Sequence, residues 1–438
     1  MDTNLILEIL EDWNSWKKEL DVGLERRIYL NLALKFLKPN VILSFIGARR
    51  SGKSYLMKQL AEELIKNGVE KNRILIINFE DKRFTDFNLK LLDQIYETYL
   101  EALNPGDKPY IFLDEVHKIN MWEKWVRTMH ELNKAKIIVS GSSSKLMSNE
   151  LATLLTGRHL DINVFPLSFQ EFCSFKGLEI KDKLDLIAKK IKIKSFLKKY
   201  LEFGGFPEIV LNEEKKYLLQ SYFDDILTKD ISERYKVREI EKLRSLAKFY
   251  LTNISRLITF NSLKKYFELS TDTIEKFSSY FEETNLIFFM KAFSFKVKLQ
   301  DKSQRKVYSI DTGLSNAIGF KFSSDIGRAA ENIVAIELKK KTKIDPNIEI
   351  YYWKNIQHEE VDFVVKEGLK IKQLIQVCWD IENYDTKERE IKSLIKASRE
   401  LKCKELLIIT GENEGEEIIK KKKIKYIPLW KWLLIDSL

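Results

Sequence analysis

The sequence is poor in the residues that mark several protein classes. Among its 438 residues are only 3 Cys, 4 His, 7 Pro and 16 Gly. The cysteines, Cys173, Cys378 and Cys403, are far apart and odd in number, which excludes a disulfide scaffold and a zinc module built on cysteine pairs. So little glycine and proline also excludes collagen-like and linker-rich architectures.

Long apolar runs are missing as well. No segment approaches the roughly 18 uninterrupted apolar residues of a membrane helix, so we expect no membrane partner. The first residues, Met1-Asp2-Thr3-Asn4, lack the basic and apolar segments of a signal peptide. We therefore expect a cytoplasmic protein.

What the sequence does contain is enough apolar residues, 44%, for a globular chain, and its length suggests about three domains. Lys and Arg total 75 against 65 Asp and Glu, a net charge of +10. This excess is uneven, because residues 216–310 hold 18 basic and 12 acidic side chains. A basic surface of this kind favours a polyanionic partner, but only locally.

The first 140 residues alternate between apolar strands and amphipathic helices. After a helical start over residues 1–40, strands are predicted at 41–46, 74–79, 110–113 and 136–139. The helices between them are predicted at 55–66, 89–103 and 123–133. Continuous apolar strands in such an alternation indicate a parallel sheet covered on both faces.

A phosphate-binding pattern, G-x-x-x-x-G-K-[ST], lies between the first strand and its helix. Its residues are Gly47, Ala48, Arg49, Arg50, Ser51, Gly52, Lys53 and Ser54, and we add the next residue, Tyr55, to the binding set. The glycines let backbone N–H groups surround phosphate oxygens at the positive end of a helix. Lys53 would reach the β- and γ-phosphates and Ser54 would bind Mg²⁺, which predicts a site for ATP and Mg²⁺. The alternative is a chance match on a glycine-containing turn.

Two carboxylates follow the strand at 110–113. Asp114 would complete the magnesium shell, and Glu115 would polarise the attacking water. A pair of acids alone is usually a solvated strand end. On a later strand of the sheet that carries a phosphate loop, the pair favours catalysis.

Ser140 and Arg158 are further candidates for the same site. Ser140 ends a strand and would sense the γ-phosphate, with Ser142 as the neighbouring choice; the alternative is a turn and helix cap over residues 140–144. Arg158 would stabilise charge at its own or a neighbouring site, or is an ordinary surface arginine. The predicted catalytic set is therefore Lys53, Glu115, Ser140 and Arg158.

Several of these segments together resemble a known family. They are residues 47–54, Leu113-Asp114-Glu115-Val116-His117, Ser140-Gly141-Ser142-Ser143, Gly157-Arg158 and Phe165-Pro166-Leu167-Ser168-Phe169. They are similar to a widespread group of prokaryotic AAA+-type P-loop ATPases, in which a winged helix and a PD-(D/E)xK nuclease-like domain follow the ATPase module. The resemblance covers nearly the whole chain. It implies ATP-driven homo-oligomerisation and a link to DNA.

The expected architecture is α/β, in four parts. A P-loop NTPase parallel sheet occupies residues 1–166 and a small helical lid subdomain 167–215. A winged-helix domain follows at 216–312, and an α/β nuclease-like domain at 313–438. Within the winged helix we predict helices at 263–267 and 271–285, and a wing formed by strands 286–299 and 305–310.

The predicted wing concentrates the positive charge. Its basic residues, against the single acid Asp301, are Lys291, Lys296, Lys298, Lys302, Arg305 and Lys306. The preceding helix is acidic and would repel phosphates, so base readout through it is not expected. We predict sequence-independent DNA contact through the wing; the alternative is a solvated hairpin used for domain packing.

The C-terminal domain carries an incomplete nuclease motif. Such a site needs an acid on one strand and an acid-x-Lys on the next to hold Mg²⁺. Glu331 and Asp362 are present, but Gln376 and Cys378 occupy the last two positions. We predict a nuclease-like fold without robust nuclease activity. A disfavoured alternative is that Lys372 or Lys370 moves in to substitute for the missing lysine. Alternatively, Glu331 and Asp362 are surface residues that cap and pair.

The function predicted from the sequence is that of a Mg²⁺-dependent AAA+-type ATPase acting on or with DNA. One alternative is a nucleotide-gated switch or scaffold with little turnover. Another is an ATP-regulated nuclease, which Gln376 and Cys378 disfavour.

Overall fold

The computed structural model describes residues 1–142, 157–319 and 325–435 of the chain. These residues form two compact units, Met1–Val164 and Phe165–Leu438. In the described ranges, every helix is too short or too polar to cross a membrane.

The first unit contains a five-stranded sheet in which all neighbouring strands are parallel. Its strands are β1 Ile42–Gly47, β2 Ile74–Asn78, β3 Tyr110–Asp114, β4 Lys136–Ser142 and β5 His159–Val164. Its helices are α1 Thr3–Trp13, α2 Arg27–Phe36, α3 Lys53–Lys66, α4 Leu89–Leu103 and α5 Trp122–Glu131. The strand order β2-β3-β4-β1-β5 puts the β1 strand between β4 and β5.

Helices cover both faces of this sheet, as its apolar strands predict. Side chains of α1, α4 and α5 form one core with alternate strand residues, and α2 and α3 form another core on the opposite face. The predicted parallel sheet is confirmed. Strand β5 was not predicted, because its polar residues His159, Asp161 and Asn163 alternate with apolar ones and it pairs with β1 alone. An edge strand lacks the continuous apolar run of a central one.

The second unit begins with helices. They are α6 Phe169–Phe175, α7 Lys183–Ala188, α8 Lys190–Phe203, α9 Pro207–Leu211, α10 Lys215–Asp225 and α11 Ile240–Thr252. Helix α6 starts in a capping box, where Ser168 and Glu171 satisfy each other's backbone N–H groups. A π-helical segment, Ile226–Ser232, and a single turn, Glu233–Tyr235, follow α10.

A small antiparallel sheet with four helices follows. The strands, in the order β6-β8-β7, are β6 Leu257–Ile258, β7 Ile287–Met290 and β8 Arg305–Ser309. The helices are α12 Phe260–Phe267, α13 Thr271–Glu283, α14 Val297–Lys302 and α15 Thr312–Ile318. The predicted two helices and two later strands are present, but the winged-helix assignment stays a prediction.

The strand predicted at 286–299 is wrong beyond Met290. Alternating Phe293, Phe295 and Leu299 suggested an extended segment, but residues 297–302 are helical. The backbone N–H of Lys296 donates to Ser294 Oγ (3.1 Å), and the Leu299 N–H donates to the Lys296 carbonyl (2.9 Å). These local hydrogen bonds start a helical turn and override the alternation.

The C-terminal part is a six-stranded mixed sheet with helices. Its strands are β9 Ile348–Lys354, β10 Glu360–Glu367, β11 Lys370–Cys378, β12 Leu406–Thr410, β13 Gly415–Ile419 and β14 Lys422–Pro428. Its helices are α16 Ile326–Ile344, α17 Tyr384–Glu400 and α18 Leu429–Ile435. The hairpin β13–β14 was not predicted, because its lysine-rich sequence resembles a polar tail. The nuclease-like assignment stays a prediction.

Candidate functional site

The glycine-containing loop follows β1 at the carboxyl edge of the first sheet. A Cβ atom on Gly47 would lie 2.1 Å from the carbonyl oxygen of Val164 on β5, so a side chain has no room there. Arg50 and Gly52 have φ angles of 65° and 96°, in the left-handed region. These two residues turn the chain into α3, whose N-terminus points its free N–H groups at the loop.

Lys53 is the first residue of α3 and is buried. Its ammonium donates to the backbone carbonyls of Gly47 (3.2 Å) and Ala48 (3.0 Å). Ser51 is fully buried, and its hydroxyl has no hydrogen-bond partner within the described ranges. A cation held by neutral groups and an unsatisfied buried hydroxyl in one loop fit the binding of phosphate oxygens.

Asp114 ends β3 and contacts two serines. The Ser140 hydroxyl on β4 donates to Asp114 Oδ1 and accepts the backbone N–H of Glu115 at 3.1 Å. Ser54 also hydrogen-bonds the Asp114 carboxylate. Burial raises the pKa of Asp114, and the bonds from both serines oppose that shift. Ser140 therefore lies against the predicted acids rather than capping a helix; residues 143 and 144 and the Ser142 side chain lie outside the described part.

Glu115 lies beside Asp114 in a strained conformation, with φ of 54°. Burial raises its pKa to about 6; the nearby Lys53 charge opposes this shift and the Asp114 charge adds to it. His117 Nδ1 lies 3.2 Å from Glu115 Oε2. Hydroxyl and carboxylate oxygens, as Ser54 and Asp114 provide here, are the ligands that Mg²⁺ prefers, so these residues fit that ion.

The remaining residues of the predicted binding set lie at the rim. Arg49 is 3.7 Å from Glu80, and Arg50 is exposed. The Tyr55 ring is half-exposed and packs against Gly23, where a Cβ atom would lie 2.9 Å from the ring.

Two residues that support the loop, Arg26 and Gln59, were not predicted from the sequence. Arg26 is buried, and its guanidinium donates to the Ser51 carbonyl at 2.8 Å, which fixes the loop from behind. Its backbone N–H donates to Gln59 Oε1 on α3 at 3.1 Å. No motif marks Arg26, because it lies 25 residues before Ser51 and only folding brings them together.

Arg158 lies at the other edge of the sheet. Its carbonyl accepts the Ile42 N–H at the start of β1, whereas the loop begins at Gly47, the end of β1. The five residues of extended strand between Ile42 and Gly47 put the two ends of β1 about 17 Å apart. The Arg158 guanidinium instead contacts Glu131 at 3.0 Å. This position does not fit the predicted role at its own phosphate loop.

Glu331 and Asp362 converge on Lys306 within the second unit. The ammonium lies 3.0 Å from Glu331 Oε1 and 2.8 Å from Asp362 Oδ1, and Lys306 is 1% exposed. The prediction that Lys306 contacts DNA is therefore wrong. The alternative that Glu331 and Asp362 are surface residues is also wrong, because their side chains are only 13% and 8% exposed.

The other two residues of the incomplete motif have different partners. Gln376 accepts the Asp362 N–H at 3.2 Å and donates to Glu390 at 2.5 Å. The Cys378 thiol donates to the Asp380 carbonyl, and burial raises its pKa to about 12. Lys372 contacts Glu367 at the surface, so it does not substitute for the missing lysine.

The remaining basic residues of the predicted wing are not equivalent. Lys296, Lys298 and Lys302 are exposed. Lys291 contacts Asp301 at 2.7 Å, and the Arg305 guanidinium lies 5.0 Å from the centre of the Phe260 ring. Lys291 is exposed as well, but it is paired with an acid, whereas Lys296, Lys298 and Lys302 are the exposed basic residues best placed for a phosphate contact.

Family comparisons divide the chain into three matched segments. Residues 39–173 match an AAA domain. Residues 194–325 and 326–432 match two domains of unknown function (DUF8612 and DUF4143).

Two uncharacterized proteins are similar over most of their length. One, from Methanocaldococcus jannaschii, is 35% identical over 412 residues, covering 91% of this chain and 89% of the relative. The other, from Haemophilus influenzae, is 29% identical over 369 residues, covering 82% and 87%.

Solved structures show more distant similarity. The Walker-type ATPase of Pyrococcus abyssi matches with a TM-score of 0.40 and 12% identity, covering 68% of this chain and 96% of its own. AMPPCP-bound DnaA from Aquifex aeolicus matches with a TM-score of 0.27 and 16% identity, covering 59% and 88%. On the sequence matches, the chain belongs to the same family as the Methanocaldococcus jannaschii protein and carries an AAA domain over residues 39–173.

Proposed function

We propose that the chain binds and hydrolyses ATP with Mg²⁺ at the loop of residues 47–55. The observation that carries this proposal is the meeting of Lys53 and Ser54 with Asp114, Glu115 and Ser140 at one sheet edge. They come from the start of α3, the end of β3 and strand β4. A ligand with several phosphates and a cation matches this set of groups.

Lys53 is suited to exchange its partners. Its ammonium contacts two neutral carbonyls, and phosphate oxygens form stronger, charge-assisted bonds. Ser54 and Asp114 would hold Mg²⁺, which supplies positive charge against the phosphates. Ser140 would keep Asp114 oriented through its hydroxyl.

Glu115 is the proposed general base. Its carboxylate is buried next to Asp114, and Ser140 fixes its peptide N–H at 3.1 Å. A carboxylate held rigidly in this way orients and polarises a water for attack on the γ-phosphate. The Gln side chain has the same shape but accepts no proton.

The test is steady-state ATP hydrolysis together with nucleotide binding. We expect Glu115→Gln to lower turnover by about 100-fold or more while binding persists. Lys53→Ala should lose binding. Glu101→Gln, an exposed carboxylate on α4, is the matched control and should behave as wild type. If Lys53→Ala still bound ATP normally, the loop assignment would be wrong.

The position of Arg158 favours a role at the site of a neighbouring copy of the chain. Arg158 lies at the edge of the sheet opposite its own phosphate loop, so we propose that it acts at the phosphate loop of a second protomer. Mixing Lys53→Ala with Arg158→Ala chains tests this. In a homo-oligomer, some interfaces then combine an intact loop with an intact arginine, and part of the activity should return. Mixtures as inactive as the separate variants would exclude the role in a neighbour.

A second candidate function, sequence-independent DNA binding, rests on the exposed lysines around α14. Lys296, Lys298 and Lys302 lie close in sequence with exposed Phe295 and Leu299, a combination suited to phosphates and bases. The predicted winged helix would present this surface. The DNA-binding set narrows to these three lysines.

Duplex binding measured against salt tests this surface. Replacing Lys296, Lys298 and Lys302 by Glu should weaken binding and reduce the salt slope by about one per lost phosphate contact. Lys370→Glu/Lys372→Glu is the control with exposed lysines elsewhere. An unchanged slope would exclude the surface. ATP turnover that no DNA alters would instead favour the nucleotide-gated switch.

A further inference from the structure

A buried lysine joins two parts of the second unit. Lys306, on β8 of the small sheet, contacts Glu331 on α16 and Glu360 and Asp362 on β10. We call these four residues the Lys306 cluster. The distances from its Nζ are 3.0 Å to Glu331 Oε1, 2.7 Å to Glu360 Oε1 and 2.8 Å to Asp362 Oδ1.

The ammonium of Lys306 is surrounded by carboxyl groups from two elements. It donates hydrogen bonds to Glu331 and Asp362, and it forms an ion pair with Glu360. The carboxyl groups in turn have other partners. Tyr308 donates to Glu331 Oε1 at 2.8 Å, the Val377 N–H donates to Asp362 Oδ2 at 2.9 Å, and Lys354 lies 3.9 Å from Glu360.

Burial makes the four charged groups of the Lys306 cluster depend on one another. Although burial opposes the charge of Lys306, Asp362 and then Glu331 raise its pKa well above the ordinary lysine value. Burial and the nearby Asp362 charge raise the pKa of Glu331 to about 8, so a proton on Glu331 brings the cluster closer to neutrality. An uncompensated charge in such a site is costly, so each partner needs the others.

The acids of the incomplete nuclease motif thus face a cation that the chain supplies itself. We propose that the Lys306 ammonium occupies the position of a divalent cation between Glu331, Glu360 and Asp362, so that the wild-type cluster is a filled cation site and not a metal centre. The same lysine holds β8 of the small sheet against α16 and β10. The predicted nuclease-like domain then serves as a fixed platform for the predicted winged helix.

A route to the cluster exists for an added ion. A cavity of about 650 Å³ is lined by Glu360, Asp362, Gln376 and Glu390, among other residues. Removing the ammonium would leave carboxylate oxygens that favour a hard cation, with this cavity as the entrance.

The test is Mn²⁺ binding by full-length wild type and Lys306→Met, measured by the loss of the free-ion electron paramagnetic resonance signal. We expect Lys306→Met to bind one more Mn²⁺ per chain than wild type and to gain thermal stability from Mn²⁺. Adding Asp362→Asn to Lys306→Met should remove both effects. Lys264→Met, which replaces an exposed lysine on α12, should match wild type.

Two further measurements keep the proposal testable if Lys306→Met does not fold. Lys306→Met/Glu360→Gln/Asp362→Asn removes the charges of Lys306 and of two of its three acidic partners together, so it should fold better than Lys306→Met. In wild type, Asp362→Asn should leave the number of bound Mn²⁺ ions unchanged. Loss of a bound ion in that variant would overturn the proposal. Mn²⁺-dependent DNA cleavage by wild type that Lys306→Met and Asp362→Asn abolish would do the same, because Lys306 would then be part of a working nuclease site.

Discussion

Lys53 and Lys306 are both buried, 5% and 1% exposed, and both lie close to carboxylates, but they contact different groups. The Lys53 ammonium donates to two main-chain carbonyls, whereas the Lys306 ammonium contacts three carboxyl groups. Leaving a neutral carbonyl costs less than leaving a buried carboxylate. In the proposed ATP site the first lysine is therefore placed to change partners when a phosphate binds, whereas the second lysine is placed to keep its partners.

The largest expected effect is on local stability around Lys306. Lys306→Met leaves Glu360 and Asp362 without their buried counter-charge, which should destabilise the contact between β8 and β10 by about 3–5 kcal/mol. Lys53→Met loses two bonds to neutral carbonyls and should cost about 1 kcal/mol. Hydrogen–deuterium exchange resolved by peptide measures both, at residues 360–378 and 42–66.

In Lys306→Met, exchange over residues 360–378 should accelerate by about 100-fold or more, because each 1.4 kcal/mol corresponds to a factor of ten. In Lys53→Met, exchange over residues 42–66 should rise far less. Equal acceleration in the two variants would contradict the distinction between neutral and charged partners.

A third buried charge, Asp311, extends the comparison. Its carboxylate accepts the backbone N–H groups of Gly205 (2.7 Å) and Leu314 (3.3 Å), and among the described residues it forms no salt bridge. Burial raises its pKa from 3.8 to about 6, and these N–H groups oppose the shift without cancelling it. A buried charge whose hydrogen bonds come from neutral N–H groups is thus held less firmly than Lys306.

The consequence for Asp311 is a pH-dependent stability. Its native pKa lies above the unfolded value, so between about pH 4 and 6 the native state binds more protons than the unfolded state. Stability from this group is therefore highest at low pH and falls as the pH rises through that interval, by about 1 kcal/mol per unit. Urea unfolding of wild type and Asp311→Asn at several pH values measures it.

Relative to Asp311→Asn, the wild type should gain stability as the pH falls from about 6.5 to 4.5. Asp182 is a matched control, because it also accepts two backbone N–H groups, from Leu184 and Asp185, but at the surface. Asp182→Asn should show a much smaller trend. A difference between wild type and Asp311→Asn that rises with pH would have the wrong sign.

The two lysine sites also differ in how far the sequence could predict them. The meeting of Lys53, Ser54 and Asp114 could be predicted because Lys53 and Ser54 belong to a contiguous motif and Asp114 ends an apolar strand. The contacts of Lys306 could not, because its partners Glu331 and Asp362 are 25 and 56 residues away. A count of charges along the sequence does not distinguish Lys306, which is buried, from Lys296, which is exposed.

The same limit explains the errors in the fold. The central strands of the first sheet were predicted because burial on both faces makes them continuously apolar. Strands β5 and β13 were missed because they are edge strands, whose polar residues resemble loops, and β14 was missed because lysines alternate with its apolar residues. The helix at 297–302 was missed because hydrogen bonds around Ser294 and Lys296, rather than the apolar pattern, decide the local structure.

The smallest expected effect on stability concerns an exposed ion pair with the same N–O distance as a buried one. Lys372 lies 2.7 Å from Glu367, the same distance as Lys306 from Glu360, but its side chain is 56% exposed and that of Glu367 is 43% exposed. Water screens this pair and solvates either group when the other is removed, so Lys372→Met should cost less than about 0.5 kcal/mol. Exchange over residues 360–378, which include Lys372, reports it on the same peptides as Lys306→Met. If Lys372→Met accelerated exchange there as strongly as Lys306→Met, the short N–O distance alone would explain the effect, and neither burial nor the three-fold carboxyl contact would distinguish Lys306 from a surface lysine.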